Sequence, residues 1–328
     1  MLRWRGLGET PPDLGRTVVT IGMYDGVHRG HQHLIRTAVA RARAMGRPAL
    51  LVTFDPHPSE VVRPGSHPAI LTSADRKAEL VAELGVDGMC VLPFTPDFSR
   101  LSPREFTHTV LVEHLYAAQV VVGRNFTYGH KAAGTVETLT EEGRRFGFGV
   151  EGVDLTSVGS APDLTGDGEV TISSTYIRAC VAAGDMASAA LALGRPHRVD
   201  GVVVRGDRRG RELGYPTANV ESPAHTAVPA DGVYAGRLVL RDHRGVSRSS
   251  HPAAISVGSN PTFSGARRTV EAHLLDFDGD LYGEHVGVEF VERLRPMLAF
   301  DGVPELLVAM ADDVARTRAV LGLPEALA

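Results

Sequence analysis

Between Val18 and Leu34 the sequence passes from strand to helix within a few residues, and this transition restricts the fold more than any other feature. Val18-Val19-Thr20-Ile21 is a short β-branched apolar run, the pattern of a buried strand. Gly22 and the Asp25-Gly26 pair break it and supply a tight turn. His28-Arg29-Gly30-His31 follows, and from His31 to Ala44 the residues suit a helix. A strand that enters a helix through a glycine turn is a unit of an α/β sheet, which gathers ligands at that edge. The free N–H groups of the helix's first turn and its dipole favour an anion there. Gly30 leaves room for a phosphate near the backbone, and the imidazoles of His28 and His31 can donate to one whose charge grows in a transition state. Two plainer readings stand beside this one. His28, His31 and His33 are polar loop residues, or they bind a metal; the metal reading is weaker, because no Cys or carboxylate stands at ligand spacing beside them.

The pattern repeats along the first half. Ala49-Leu50-Leu51-Val52-Thr53-Phe54 reads as a second strand, closed by Asp55-Pro56-His57-Pro58, a loop made rigid by its two prolines. Ser73 to Gly85 reads as a helix with Leu80, Val81 and Leu84 on its apolar face, and Lys77 is expected on the side facing solvent. Val86 to Pro93 and Gln119 to Gly123 are further strands, with a helix opened by Ser102-Pro103 between them. Alternating strands and helices predict a doubly wound parallel sheet. Gly123-Arg124-Asn125-Phe126-Thr127-Tyr128-Gly129-His130-Lys131 then packs glycines, aromatics and basic groups into one loop. That mixture suits closure over a flat ring and a phosphate; a plain glycine-rich turn is the alternative. At Ile172-Ser173-Ser174-Thr175-Tyr176-Ile177-Arg178 another helix begins, where a hydroxyl can cap the helix and Arg178 can fork onto phosphate oxygens.

At 328 residues the chain is long enough for about two domains of ~150 residues. After Gly194-Arg195-Pro196 the helical pattern gives way to strands and turns, so a boundary is expected near Arg195. Val199 to Val204 is a strand, and Gly206, Gly210, Arg211 and Gly214 lie in a loop able to cradle phosphate without a helix behind it. In Tyr215-Pro216-Thr217-Ala218-Asn219-Val220, Thr217 and Asn219 point the same way if the piece is extended. They suit a hard cation carrying nucleotide phosphates; by spacing alone, a solvent-facing polar pair fits them better. Gly232 to Leu240, Ala253 to Val257, Thr269 to Leu275 and Val286 to Phe290 complete a set of strands that predicts a small barrel. Glu271 sits on one of them, either ion-paired or held as a base. Pro304 to Leu321 reads as a closing amphipathic helix.

A formal charge of −5 argues against a general nucleic-acid binder. No apolar run approaches the ~20 residues of a membrane span, and the charged, proline-bearing N-terminus is not a signal peptide. These features suggest a cytoplasmic protein that acts on small molecules; a weak homo-oligomer is a further expectation. Cys90 and Cys180 read as buried thiols. Lys77 and Lys131 are the only lysines; every other basic side chain is arginine.

The string Gly22 to His31 resembles the signature of the adenylyl-transferring α/β superfamily, which also includes the class I aminoacyl-tRNA synthetases. The order His28-Arg29-Gly30-His31, Thr53 to Pro58, Gly123 to Gly129 and Ile172 to Arg178 narrows this to prokaryotic bifunctional riboflavin kinase/FAD synthetases. The second half resembles the same family's kinase through Gly201 to Asp207, Gly210-Arg211, Leu213-Gly214, Pro216 to Asn219, Gly258 to Phe263 and Thr269 to Asp276. The resemblance implies a Rossmann-like adenylyltransferase over residues 1–186 and an all-β barrel kinase with a C-terminal helix over residues 187–328. It implies riboflavin, FMN and ATP as substrates, FAD as product and Mg2+ as cofactor. In the first domain it implies that Gly22, Asp25, Gly26, His28, Gly30, His31, Ser174, Thr175 and Arg178 hold ATP. Asn125 would lie near the transferred group, and Pro56, His57 and Pro58 on the flavin side. In the second it implies a nucleotide loop at Gly206, Gly210, Arg211, Gly214 and Pro216, Mg2+–ATP on Thr217 and Asn219, and Glu271 as general base. Tyr24 and Ser259 stand where the family usually has Phe and Thr, and the segment from Leu155 to Glu169 looks longer than expected. A nucleotidyltransferase with another acceptor, and a flavin-binding relative that has lost one activity, are the alternatives.

Overall fold

A computed structural model describes the chain except for residues 156–159, 163–168, 207–209, 211–212, 243–246, 260–267 and 325–328. Two compact units divide it, Met1–Pro68 with Ala74–Ser160, and Ala69–Ser73 with Ala161–Ala328.

The first unit is built on a six-stranded sheet in which every neighbouring pair is parallel. Its strands are β1 (Leu2–Arg5), β2 (Thr17–Ile21), β3 (Ala49–Asp55), β4 (Gly88–Pro93), β5 (Ala117–Gly123) and β6 (Gly149–Val153), in the order β1-β4-β3-β2-β5-β6. The helices are α1 (Arg29–Ala44), α2 (Pro58–Val62), α3 (Ala74–Glu83), α4 (Pro103–Phe106) and α5 (Val136–Phe146), and α4 continues into a π-helical stretch, Thr107–His114. Apolar side chains cover both faces of the sheet: Val19, Leu50, Val52 and Val120 enter one core cluster, and Val18, Leu51, Met89 and Val121 the other. This is the doubly wound parallel sheet expected from the alternation. The strand order reverses between β2 and β5, so their carboxyl ends form the crevice in which such sheets bind ligands.

Three elements depart from the sequence reading. Leu2-Arg3-Trp4-Arg5, read as part of a charged N-terminus, pairs in parallel with β4 and buries Trp4. Helix α5 and strand β6 were not anticipated; α5 opens on a Thr135 cap and ends on left-handed Gly147. Lys77, expected in solvent, is buried at 9% exposure.

The second unit carries a closed antiparallel barrel in the order β10-β13-β12-β11-β14-β9. Its strands are β9 (His197–Val204), β10 (Ala218–Glu221), β11 (Gly232–Arg241), β12 (Ser247–Ser259), β13 (Arg268–Leu274) and β14 (His285–Arg295), and a two-stranded sheet of β7 (Ser160–Pro162) and β8 (Glu169–Thr171) precedes it. Helices α6 (Ser174–Ala183), α7 (Met186–Leu193) and α8 (Val303–Val320) complete it. Ile177, Cys180 and Val181 of α6 and Met186, Ala189 and Leu193 of α7 share one core cluster with barrel residues Val199, Tyr234 and Phe290. Helices α6 and α7 thus belong to the same compact unit as the barrel, since they bury their apolar faces in its core cluster. Cys90 and Cys180 are both free and buried, as expected.

Candidate active sites

Strand β2 ends at Ile21, and the Gly22 N–H still donates to the Val52 carbonyl at 3.1 Å. The chain then turns through Tyr24 (φ 50°), Gly26 (φ 85°) and Val27 (φ 40°) before His28 opens α1. Left-handed backbone is costly for Tyr and more so for a β-branched Val, and such strain concentrates at functional sites. Packing imposes it here: Tyr24 and Val27 are about 1% exposed, and the Tyr24 hydroxyl lies 2.6 Å from Thr20 Oγ1.

His28 is the N-cap of α1, and its Nδ1 accepts from the His31 N–H at 3.4 Å. In the neutral ring this assigns the proton to Nε2. The two imidazoles stack with centroids 3.6 Å apart, and the Tyr24 ring meets His31 edge-on at 5.2 Å. Burial, with the nearby His28 and Lys77, holds His31 well below the usual histidine range, so its ring is neutral at pH 7. The first turn of α1 contains no acidic residue, so nothing there competes with an anion for the helix end. Gly30 is also closely packed against the histidine pair. A Cβ there would lie 3.1 Å from His28 Cε1, so glycine makes room for the imidazole itself.

Gly22 and Met23 also line a cavity of about 990 Å3. Six aromatic side chains line it, Phe54, Phe94, Phe98, Phe106, Phe126 and Tyr128, linked in a chain of ring contacts. His57 and Pro58 line the cavity too, and His57 caps α2 by accepting from the Ser59 N–H at 3.2 Å. Pro56 is exposed and does not line it. Asn125 is exposed in the turn just past β5, the strand beside β2. Phe94, Phe98 and Phe106 were not singled out in the sequence; their signal was the spacing of four Phe from residue 94 to residue 126. Ser174, Thr175 and Arg178 lie in the second unit. There Ser173 caps α6, and Arg178 Nε donates to the Ala69 carbonyl at 2.6 Å.

In the barrel, Asn219 and Glu271 are register partners on β10 and β13, and the Thr217 hydroxyl donates to Glu271 Oε2 at 3.4 Å. Along β13, Val270, Ala272 and Leu274 are buried while Thr269, Glu271 and His273 lie half-buried on the other face. Thr217, Asn219, Pro216 and Gly206 line a second cavity of about 350 Å3; Glu271 reaches it through Thr217 rather than lining it. A Cβ on Gly206 would fall 2.3 Å from Asn219 Nδ2, so that backbone seats the amide directly. The Tyr215 N–H closes the loop onto the Gly210 carbonyl at 2.8 Å, and Gly214 is left-handed at φ 85°. Arg211 and the motif residues 260–263 lie outside the described residues.

Comparison with known proteins finds a match for each half of the chain. The FAD synthetase family model matches residues 10–162, and the riboflavin kinase model residues 193–321. The bifunctional riboflavin kinase/FMN adenylyltransferase of Listeria monocytogenes is 37% identical over 306 residues, 92% of this chain and 91% of that one. The Pseudomonas fluorescens enzyme of the same name is 38% identical over 317 residues, 96% of each. The chain belongs to the bifunctional riboflavin kinase/FMN adenylyltransferase family. Membership carries two reactions, riboflavin to FMN and FMN to FAD, with the FAD synthetase region preceding the kinase. A crystal structure from Streptococcus pneumoniae, described as a macrolide-efflux protein, superposes with a TM-score of 0.82 at 31% identity, covering 97% of this chain and 99% of that one. Among the described residues no helix is long and apolar enough to cross a membrane. The segment Ser174 to Arg178 falls between the two family matches.

Proposed function

We propose that FMN is adenylylated at the turn between β2 and α1, and that riboflavin is phosphorylated on the barrel face bearing Thr217, Asn219 and Glu271. One observation carries the first assignment: the aromatic cavity opens directly onto Gly22 and Met23, beside the stacked histidines and at the reversal of strand order. A flavin ring suits the aromatic walls, which would leave its phosphate end at the turn. An FMN phosphate oxygen attacks the α-phosphorus of ATP, and pyrophosphate leaves. No protein nucleophile is required, since the attacking phosphate is already an anion. The His28 Nε2–H, the ring of His31 and the free N–H groups of α1 stabilise the growing charge. Asp25, Gly26 and Gly30 shape the approach, and Asn125 stands near the transferred group. The roles of Ser174, Thr175 and Arg178 toward ATP rest on the resemblance alone.

In the barrel, Glu271 takes the proton of the ribityl hydroxyl, and that oxygen attacks the γ-phosphorus. A hydroxyl, an amide oxygen and a neighbouring carboxylate form a hard-oxygen donor set, which fits Mg2+ carried on ATP phosphates. Thr217 and Asn219 would hold the ion, and when bound it neutralises phosphate charge. We assign the kinase to residues 187–328 and the adenylyltransferase to residues 1–186, in the cytoplasm, as a weak homo-oligomer. Incubating the pure protein with riboflavin, ATP and Mg2+ and separating the flavins should yield FMN first and then FAD. Feeding FMN directly should yield FAD without a lag. FMN that accumulates with no FAD would overturn the assignment of the turn.

A further inference from the structure

We infer that Lys77 is the positioning residue of the adenylyl-transfer turn, clamping the Met23 carbonyl so that the strained backbone between Gly22 and His28 keeps its working shape. This rests on the turn being the site of adenylyl transfer. Lys77 lies on α3 at 9% exposure, beside Ala78 and Val81, which are fully buried. Its Nζ donates to the Met23 carbonyl at 2.8 Å and to Thr53 Oγ1 at 3.4 Å, and the Thr53 hydroxyl donates to the same carbonyl at 3.1 Å. Two donors from two different elements therefore converge on one carbonyl of the turn.

The residues on either side explain why that carbonyl matters. Gly22 and Met23 form the lip of the aromatic cavity, while Tyr24, the first left-handed residue, packs its ring edge against His31. Released from its donors, the turn can relax toward ordinary backbone angles, and Tyr24 and His31 would move with it. A charged group is an expensive way to fill this space, since a methionine has similar length and carries no desolvation cost. The surrounding charges are arranged to keep it charged. Burial pulls the Lys77 ammonium down from the usual lysine range, and Asp25 from the turn and Asp55 from the end of β3 oppose that pull. His28 and His31 on α1 complete the titratable groups around the clamp, and Lys77 in turn helps to keep His31 neutral. The sequence adds an independent hint. Lys77 is one of two lysines among the 34 Lys and Arg side chains, and a compact ammonium with three rotatable donors is not interchangeable with a planar guanidinium fork.

Lys77 touches neither substrate, so its loss should act on kcat rather than on KM. In the full chain, Lys77→Met should lower kcat for FAD formation from added FMN by ~10²-fold, the scale of a misplaced catalytic constellation, with KM for ATP nearly unchanged. FMN formation from riboflavin and the melting temperature should stay near those of the parent. Lys77→Arg, which keeps the charge, supplies the same comparison if the methionine variant does not fold. Unaltered FAD kcat in the folded variants, or a parallel loss of both half-reactions with the melting temperature, would overturn the inference. His28→Ala separates the two levels of the argument. If it abolishes FAD formation while the Lys77 variants remain active, only the clamp is wrong; if it forms FAD normally, the assignment of the turn fails and the clamp with it.

Discussion

His31 is neutral chiefly because it is buried, and the neighbouring His28, on which it stacks, and Lys77 add to the effect. Its folded pKa is depressed, so the unfolded chain binds the extra proton first as pH falls. The cost is therefore absent above the unfolded value of ~6.5 and grows below it, by up to about 1.4 kcal/mol per pH unit until the folded pKa is passed. Urea unfolding of the parent and of His31→Gln at pH 7.5 and pH 5.5 should show the parent losing more stability on acidification. Equal losses would mean that His31 titrates normally. Glu271 carries a prediction of the opposite kind, about rate rather than stability. Glu271→Gln preserves the contact with Thr217 but cannot take a proton, so FMN formation should fall by ~10²–10⁴-fold while FAD formation from added FMN is unchanged. A stable variant with near-normal FMN formation would remove Glu271 from the role of base. Both residues stand out in the sequence because they lie in dense local motifs. Lys77 does not, since what buries it is a turn fifty residues away.

At the scale of elements, legibility followed periodicity. Strands β2, β3 and β5 were evident because strands covered on both faces read as unbroken apolar runs. Strand β1 escaped because Leu2-Arg3-Trp4-Arg5 interleaves charge, and only pairing with β4 makes Trp4 a core residue. Helix α5 escaped because Glu141, Glu142, Arg144 and Arg145 crowd the sequence, leaving Leu139 as its fully buried large anchor. The aromatic cavity depends on rings from separate loops, a convergence that no local pattern encodes. The loop between β9 and β10 offers a test at this scale. Gly206→Ala would put its Cβ 2.3 Å from Asn219 Nδ2, and the freest atoms to yield are those of the Asn219 amide. FMN formation should therefore fall by at least ~10-fold, with KM for ATP raised, while barrel stability changes little. Unimpaired kinase activity would mean that Asn219 does not need that seat.

For the whole molecule, the question is where the chain can be cut. The change of sequence pattern near Arg195 suggests that residues 187–328 suffice for the kinase, and the riboflavin kinase family match begins close by, at residue 193. Packing argues for an earlier cut. Ile177, Cys180 and Val181 of α6 are at most 1% exposed within the cluster that contains Tyr234 and Phe290 of the barrel, and Ala161 and Ile172 join it. Removing residues 161–186 would leave that apolar surface open to water, at a cost of roughly 1.5–3 kcal/mol for each large side chain left without partners. That sum is comparable with the whole stability of a small domain. Two fragments, 161–328 and 187–328, decide between the boundaries. The longer fragment should be monomeric, melt cooperatively and make FMN but no FAD. The shorter should be less stable by several kcal/mol or should aggregate, even though it retains Thr217, Asn219 and Glu271. The segment Ala69–Ser73, which is missing from both fragments, contributes Leu71 to the same cluster and the Ile70 bonds to His225 and Ala227, so even the longer fragment should melt below the intact chain. Equal stability of the two fragments would show that α6 merely rests on the barrel. The boundary read from the sequence would then hold for folding as well as for chemistry.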